Sequence, residues 1–219
     1  MCPVNLPNSI TLTRILSIPL FIWILSTNRF QGLGGEKELL ASALFIAASI
    51  TDGIDGYLAR KRGQITTMGM LLDPLADKLL IAAAFVALVQ FNPSLVPAWI
   101  AVVIIGREFL VSGLRSIAAS EGFTIEASDL GKFKMLVQIV SVVAVILDHR
   151  WKEWPILGGY FFPVHAIALA AIWFMVVLSL VSAGDYFAAF WSKIDRRVVK
   201  RRRRAFVLSR RRKRDVAAT

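Results

Sequence analysis

The chain has 219 residues, of which 56% are hydrophobic, and its mean hydropathy is +0.62. That apolar share exceeds that of an ordinary soluble domain and points to a polytopic membrane protein. One cysteine, Cys2, excludes an internal disulfide and a cysteine-rich zinc site, and the two histidines, His149 and His165, are too few and too scattered for a histidine-based metal site. The net charge of +11 is uneven: 13 of the 26 Lys and Arg residues lie between Lys193 and Thr219.

Six apolar segments follow one another, at roughly 11–27, 38–58, 68–91, 96–118, 132–147 and 161–187. Each is near the ~20 residues that cross a bilayer, and backbone groups in hydrocarbon must bond within their own segment, so all six are expected to be helices. The fold class expected is therefore all-α, with six transmembrane helices and a short interfacial helix before Thr11. Arg14 interrupts the first apolar run and no basic stretch precedes it, so no cleavable signal peptide is expected.

The links between segments are short. Gly32-Leu33-Gly34-Gly35 joins the first two and Arg60-Lys61-Arg62-Gly63-Gln64 the next two, with a turn at Asn92-Pro93-Ser94 before the fourth. Glu121 to Lys134 and Asp148 to Pro155 complete the set. The cluster at 60–62, the pair Lys132 and Lys134, and the tail all fall on one side of a six-span arrangement. The other side holds only Arg29, Lys37, Arg150 and Lys152. The bias places both termini in the cytoplasm. Residues 1–192 then form the membrane domain and 193–219 a basic cytoplasmic tail. The six tryptophans are expected at membrane-interface or packing positions, and Cys2 and the histidines have no expected role.

The junction of the second and third segments carries the chemistry. Asp52, Asp55, Asp73 and Asp77 lie at the end of one apolar segment and the start of the next. At about 2.5–3.5 kcal/mol per charge, four bare carboxylates at membrane depth cost on the order of 10 kcal/mol, so a cation is expected among them. Hard oxygen donors favour Mg²⁺, Mn²⁺ or Ca²⁺. Asp52 and Asp55 are three apart, while Asp52, Gly56 and Arg60 are each four apart, as are Gly69, Asp73 and Asp77, so each set shares a helix face. Gly53, Gly56 and Gly69 leave room for a ligand or a facing helix, and Pro74 frees a backbone carbonyl. Two metal ions about 3.5–4 Å apart would suit an in-line phosphoryl displacement, with Arg60 as a fixed cation for a phosphate. The plainer reading, helix caps paired with Arg60, Lys61 and Lys78, leaves four carboxylates where capping needs fewer.

These residues match D-x-x-D-G-x-x-A-R-x8-G-x3-D-x3-D, the signature of the CDP-alcohol phosphatidyltransferases, at Asp52, Asp55, Gly56, Ala59, Arg60, Gly69, Asp73 and Asp77. The six-segment pattern also resembles that family, from residue 1 to about 187. The resemblance implies a two-metal site, usually Mg²⁺, held by Asp52, Asp55, Asp73 and Asp77. It implies CDP-diacylglycerol as donor, and Asp77 as general base on the acceptor hydroxyl. Asn8, Thr11 and Arg14 resemble the family's N-x-x-T-x-x-R segment, which with Asp52, Gly56, Arg60 and Gly69 borders the donor. Their plainer reading is a helix start with a snorkelling arginine. The family also makes a homodimer the expected assembly.

The fourth segment carries Arg107, Glu108 and Arg115, three charges in an apolar run, and Lys132 and Lys134 follow. Such charges mark a water-filled cavity, and guanidinium groups match phosphate oxygens. The pattern R-E-x3-S-G-L-R, then G-K-x-K, resembles family members that form phosphatidylglycerophosphate from sn-glycerol 3-phosphate. By that resemblance Arg107, Arg115, Lys132 and Lys134 bind the acceptor's phosphate, and Gln138 is a further candidate for the cavity wall. An Arg107–Glu108 or Arg115–Glu108 pair with topogenic lysines is the structural alternative. Inositol phosphate, another alcohol or phosphatidylglycerol remains as acceptor. A metal-ion transporter is the rival from another class, though Arg60, Arg107 and Arg115 would repel a cation in transit. A non-catalytic lipid-surface scaffold using the tail is the third. The basic runs Lys200–Arg204 and Arg210–Arg214 suit anionic lipids, at about 1 kcal/mol per residue near the surface. They also suit a topogenic, partly disordered tail. No nucleic-acid-binding fold accompanies them.

Overall fold

A computed structural model describes the backbone of residues 6–27, 34–62, 67–123, 130–155 and 161–217, and side chains at 12–27, 34–51, 75–76, 78–123, 133–154 and 161–194. The described chain is all-α apart from one two-residue β-pairing. Its helices are α1 (Leu6–Ser26), α2 (Glu36–Arg62), α3 (Thr67–Phe91), α4 (Ala98–Ser120), α5 (Leu130–Arg150) and α6 (Val164–Ala217). Strands β1 (Trp154–Pro155) and β2 (Phe161–Phe162) pair antiparallel between α5 and α6.

Each expected segment is one helix, with differences at the ends. Residues 6–10, assigned to an interfacial helix, are the first turns of a continuous α1. Helix α5 runs past both ends of its apolar stretch, and at its C-terminal end Asp148 and His149 find partners within the bundle. The tail does not fray where the charges begin: α6 continues to Ala217, about 80 Å at 1.5 Å per residue. Arg and Lys are good helix formers, and elongation from an existing helix avoids the cost of nucleation.

Helix α1 packs on α2 and α3, α5 on α2, α3 and α6, and α4 on α3 and α6. Phe21, Phe45, Phe85, Ile104, Ile146 and Met175, one from each helix in turn, form the buried centre. Small side chains such as Ala41, Ala84 and Ala168 let helices approach, and Ser141 Oγ donates to Ala171 O across α5 and α6 at 3.0 Å. The surface inverts the usual rule. Leu12, Leu16, Trp23, Val102, Leu136 and Val177 are exposed, whereas Arg14, Lys37, Glu38, Arg107, Lys134 and Asp148 are buried. Among the described residues, only Val164–Ile194 is long and apolar enough by itself to cross a membrane, with Leu12–Ser26 and Lys78–Phe91 as shorter apolar helices.

Polar contacts tie the end of the bundle where α2 starts and α3 and α5 finish. Asp148 accepts from Asn92 Nδ2 at 3.0 Å, Lys152 Nζ at 2.6 Å and His165 Nδ1 at 2.7 Å. Glu38 Oε1 lies 3.0 Å from His149 Nδ1, and the His149 ring stacks on Phe91 with centroids 4.1 Å apart. Both histidines, left without a role by the sequence, thus join helices. At Gly35, φ is +74°, and a Cβ there would overlap the Trp151 ring, so both the backbone and the space require glycine.

Burial pushes the Asp148 carboxyl up, but the hydrogen bonds from Lys152, Asn92 and His165 outweigh it and hold the group below the usual carboxylate range. A depressed folded-state pKa contributes stability above the unfolded value, and that stability is lost as pH falls through the folded value. Asp148→Ala removes three hydrogen bonds made by a buried carboxylate and should cost about 2–3 kcal/mol in detergent unfolding at neutral pH. The gap from the unsubstituted chain should narrow below about pH 4.

Candidate active site

The other end of the bundle holds a cavity of about 450 Å³. Four helices and the middle of α6 converge there. Helix α4 contributes Arg107, Glu108 and Arg115; α5 contributes Lys134 and Gln138; α6 contributes Ser182 and Tyr186. Ser49 of α2 and Lys78 of α3 close the side towards the aspartates. Ser49 lies three residues before Asp52, and Lys78 directly follows Asp77.

A single carboxylate organises the cations. Glu108 Oε1 accepts from Arg107 Nη1 at 3.0 Å and from Lys134 Nζ. Arg107 also donates through Nη2 to Ser182 Oγ. Arg115 Nη2 donates to Tyr186 Oη at 2.5 Å, and its guanidinium lies 5.1 Å from the centre of that ring. Arg107 and Arg115, eight residues apart on α4, are therefore both anchored by α6. Two buried donors of the cavity wall have no hydrogen-bond partner among the described residues: Arg107 Nε and Gln138 Nε2. Buried donors are rarely left unmade, so they suit an oxygen-rich ligand. The cavity can hold a small dianion.

The expected acceptor residues Arg107, Arg115 and Lys134 do come together, as does Gln138. The alternative Arg107–Glu108 pair also forms, within the same cluster. Lys132 lies in the first turn of α5, and its side chain is outside the described residues. Ser182 and Tyr186 were not anticipated. Their signal is a polar spacing of four near the end of a mostly apolar last segment.

The side chains of Asp52, Asp55, Gly56, Arg60, Gly69, Asp73 and Asp77 lie outside the described residues, as do those of Asn8 and Thr11. Their backbone positions are helical. Asp52 and Asp55 fall within one turn of α2, and Asp73 and Asp77 one turn apart on α3. Arg14 is buried in α1, which packs on both helices. Among the described residues, no group of three or more His, Cys, Asp or Glu could hold a metal. The four aspartates are the donor set whose chemistry fits one: hard carboxylate oxygens, spaced by single turns.

Comparison with known proteins places this arrangement. The profile of the CDP-alcohol phosphatidyltransferases matches residues 4–181. The CDP-diacylglycerol–glycerol-3-phosphate 3-phosphatidyltransferase of Bacillus subtilis is 43% identical over 87% of this chain and 97% of its own length. The enzyme of that name from Rickettsia bellii is 33% identical over 84% of this chain and 94% of its own length. Among solved structures, the phosphatidylinositol phosphate synthase of Mycobacterium tuberculosis in complex with manganese and citrate shares the fold, with a TM-score of 0.61 and 17% identity. That match covers 84% of this chain and 82% of the other. With a profile match over most of its length and relatives above 30% identity that it covers almost fully, this chain belongs to the CDP-alcohol phosphatidyltransferase family.

Proposed function

We propose that the chain transfers a phosphatidyl group from CDP-diacylglycerol to sn-glycerol 3-phosphate, giving phosphatidylglycerophosphate and CMP. The observation that carries the acceptor is the meeting of Arg107, Arg115 and Lys134 around one cavity beside the aspartate-bearing helices. A phosphate-bearing acceptor needs such a cluster; a neutral alcohol does not. The names of the relatives from Bacillus subtilis and Rickettsia bellii support the same reading.

In this reading Arg107, Arg115, Lys132 and Lys134 hold the acceptor's phosphate and leave its terminal hydroxyl towards α2 and α3. Asn8, Thr11, Arg14, Asp52, Gly56, Arg60 and Gly69 border the donor's nucleotide and diphosphate. Asp52, Asp55, Asp73 and Asp77 would hold two divalent ions, Mg²⁺ or Mn²⁺, whose charge would neutralise the diphosphate and the departing CMP. Asp77 orients the hydroxyl and takes its proton late in the transition state. The hydroxyl oxygen bonds to the phosphorus nearest the diacylglycerol. The bond from that phosphorus to the oxygen shared with CMP breaks, and CMP leaves with that oxygen.

The exposed apolar side chains and buried charges support six membrane-embedded helices. Both termini and the carboxylate end would face the cytoplasm of the cell membrane, and the α6 extension would lie over anionic lipids. A homodimer completes the reading. Its test is an acceptor panel. Purified protein with CDP-diacylglycerol and Mg²⁺ should release CMP with glycerol 3-phosphate, and not with serine, glycerol or inositol phosphate. Release only with inositol phosphate would keep the chemistry and overturn the acceptor. Metal uptake by vesicles without CMP release would favour a transporter.

A further inference from the structure

We propose that Glu108 is an internal counter-ion that competes with the acceptor's phosphate for Arg107 and Lys134, and so limits how tightly the cavity holds any phosphate dianion. The inference rests on the acceptor reading above.

Among the described cavity residues, Glu108 is the one acidic side chain, set against Lys78, Arg107, Arg115 and Lys134. Its Oε1 atom engages both Arg107 and Lys134. These are among the cations a phosphate needs, and neither can give its full hydrogen-bonding capacity to a ligand while Glu108 holds it. The other anchors of the cluster are neutral: Ser182 on Arg107 and the Tyr186 hydroxyl on Arg115. They orient the guanidinium groups without cancelling charge. Glu108 therefore differs in kind from the rest of the wall. A structural anchor could have been another hydroxyl; a carboxylate here opposes the ligand.

This opposition has a use in the proposed reaction. Glycerol 3-phosphate enters as a phosphate monoester, and phosphatidylglycerophosphate leaves with the same monoester intact. A cavity of four uncompensated cations would bind substrate, product and free inorganic phosphate alike. A carboxylate already in place weakens all three and lets the product go, since binding that is equal in ground and transition states does not accelerate chemistry.

The test is inhibition of CMP release by inorganic phosphate, measured against glycerol 3-phosphate. Phosphate should inhibit the unsubstituted chain weakly and competitively. Glu108→Gln keeps the shape and removes the charge. Its inhibition constant for phosphate should fall at least about tenfold, the order of one charge-assisted hydrogen bond. KM for glycerol 3-phosphate should fall with it, and kcat should fall as product release slows. Glu108→Ala carries the same expectation, so failure of one variant to fold does not decide the matter. Glu108→Asp should stay nearer the unsubstituted chain. An unchanged or raised phosphate inhibition constant in folded Glu108→Gln or Glu108→Ala would overturn the role and leave the acceptor reading standing. Phosphate inhibition of the unsubstituted chain that is absent, or not competitive with glycerol 3-phosphate, would remove the acceptor reading and this inference with it.

Discussion

Asp77→Asn should abolish CMP release while leaving the protein folded and able to bind CDP-diacylglycerol. The substitution keeps the side chain's size and removes the oxygen proposed to take the acceptor's proton, together with one negative charge of the proposed metal-holding set. A positioned general base is worth about 10²–10⁴ in rate. Losing a charged ligand of a phosphoryl-transfer site adds to that, so a fall of at least about 10³-fold in kcat is expected. The position fits that severity: Asp77 sits in α3, one turn after Asp73 and directly before Lys78, which lines the cavity proposed to take the acceptor. A steady-state assay over a range of Mg²⁺ concentrations checks it. Full recovery at high Mg²⁺ would reduce Asp77 to a metal ligand, and a pH–rate profile unchanged by the substitution would remove its role as base.

Arg115→Ala should fail in a different way. Arg115 is more exposed than Arg107 and is held over the Tyr186 ring, so its removal leaves no buried charge unpaired. A charge-assisted hydrogen bond to a ligand is worth about 1.5–3 kcal/mol, so KM for glycerol 3-phosphate should rise about 10- to 100-fold. KM for CDP-diacylglycerol should hold. Arg115→Lys keeps the charge and loses the planar fork, and should fall between the two. Equal damage to both KM values would mean that Arg115 supports the bundle and not the acceptor.

The contrast between these residues also marks what could be read from the sequence. Regular spacing was legible. The aspartates, Gly56, Arg60 and Gly69 fall at intervals of three and four within a short stretch, and α2 and α3 are helical there. Arg107 and Arg115 were legible because charges stand out in an apolar run, and they do meet Lys134. Ser182 and Tyr186 were not, because a serine and a tyrosine in a membrane segment are unremarkable until a guanidinium is found opposite each. The clasp around Asp148 was beyond reach for a related reason. Its partners Asn92 and His165 lie on other elements, and no local period connects them. Hydropathy also ended α5 too early, since it scores Asp148 and His149 as solvent-seeking when each has a partner within the fold. The long helical course of the tail escaped for the opposite reason: a dense basic run reads as unstructured, whereas here it continues an established helix.

The most direct measurement of the central claim is product analysis by mass spectrometry after incubating the purified protein with CDP-diacylglycerol, glycerol 3-phosphate and Mg²⁺. Phosphatidylglycerophosphate and CMP should appear in equal amounts, and neither should form with Asp77→Asn. CMP without phosphatidylglycerophosphate, or a different phosphatidyl product when other acceptors are offered beside glycerol 3-phosphate, would contradict the account.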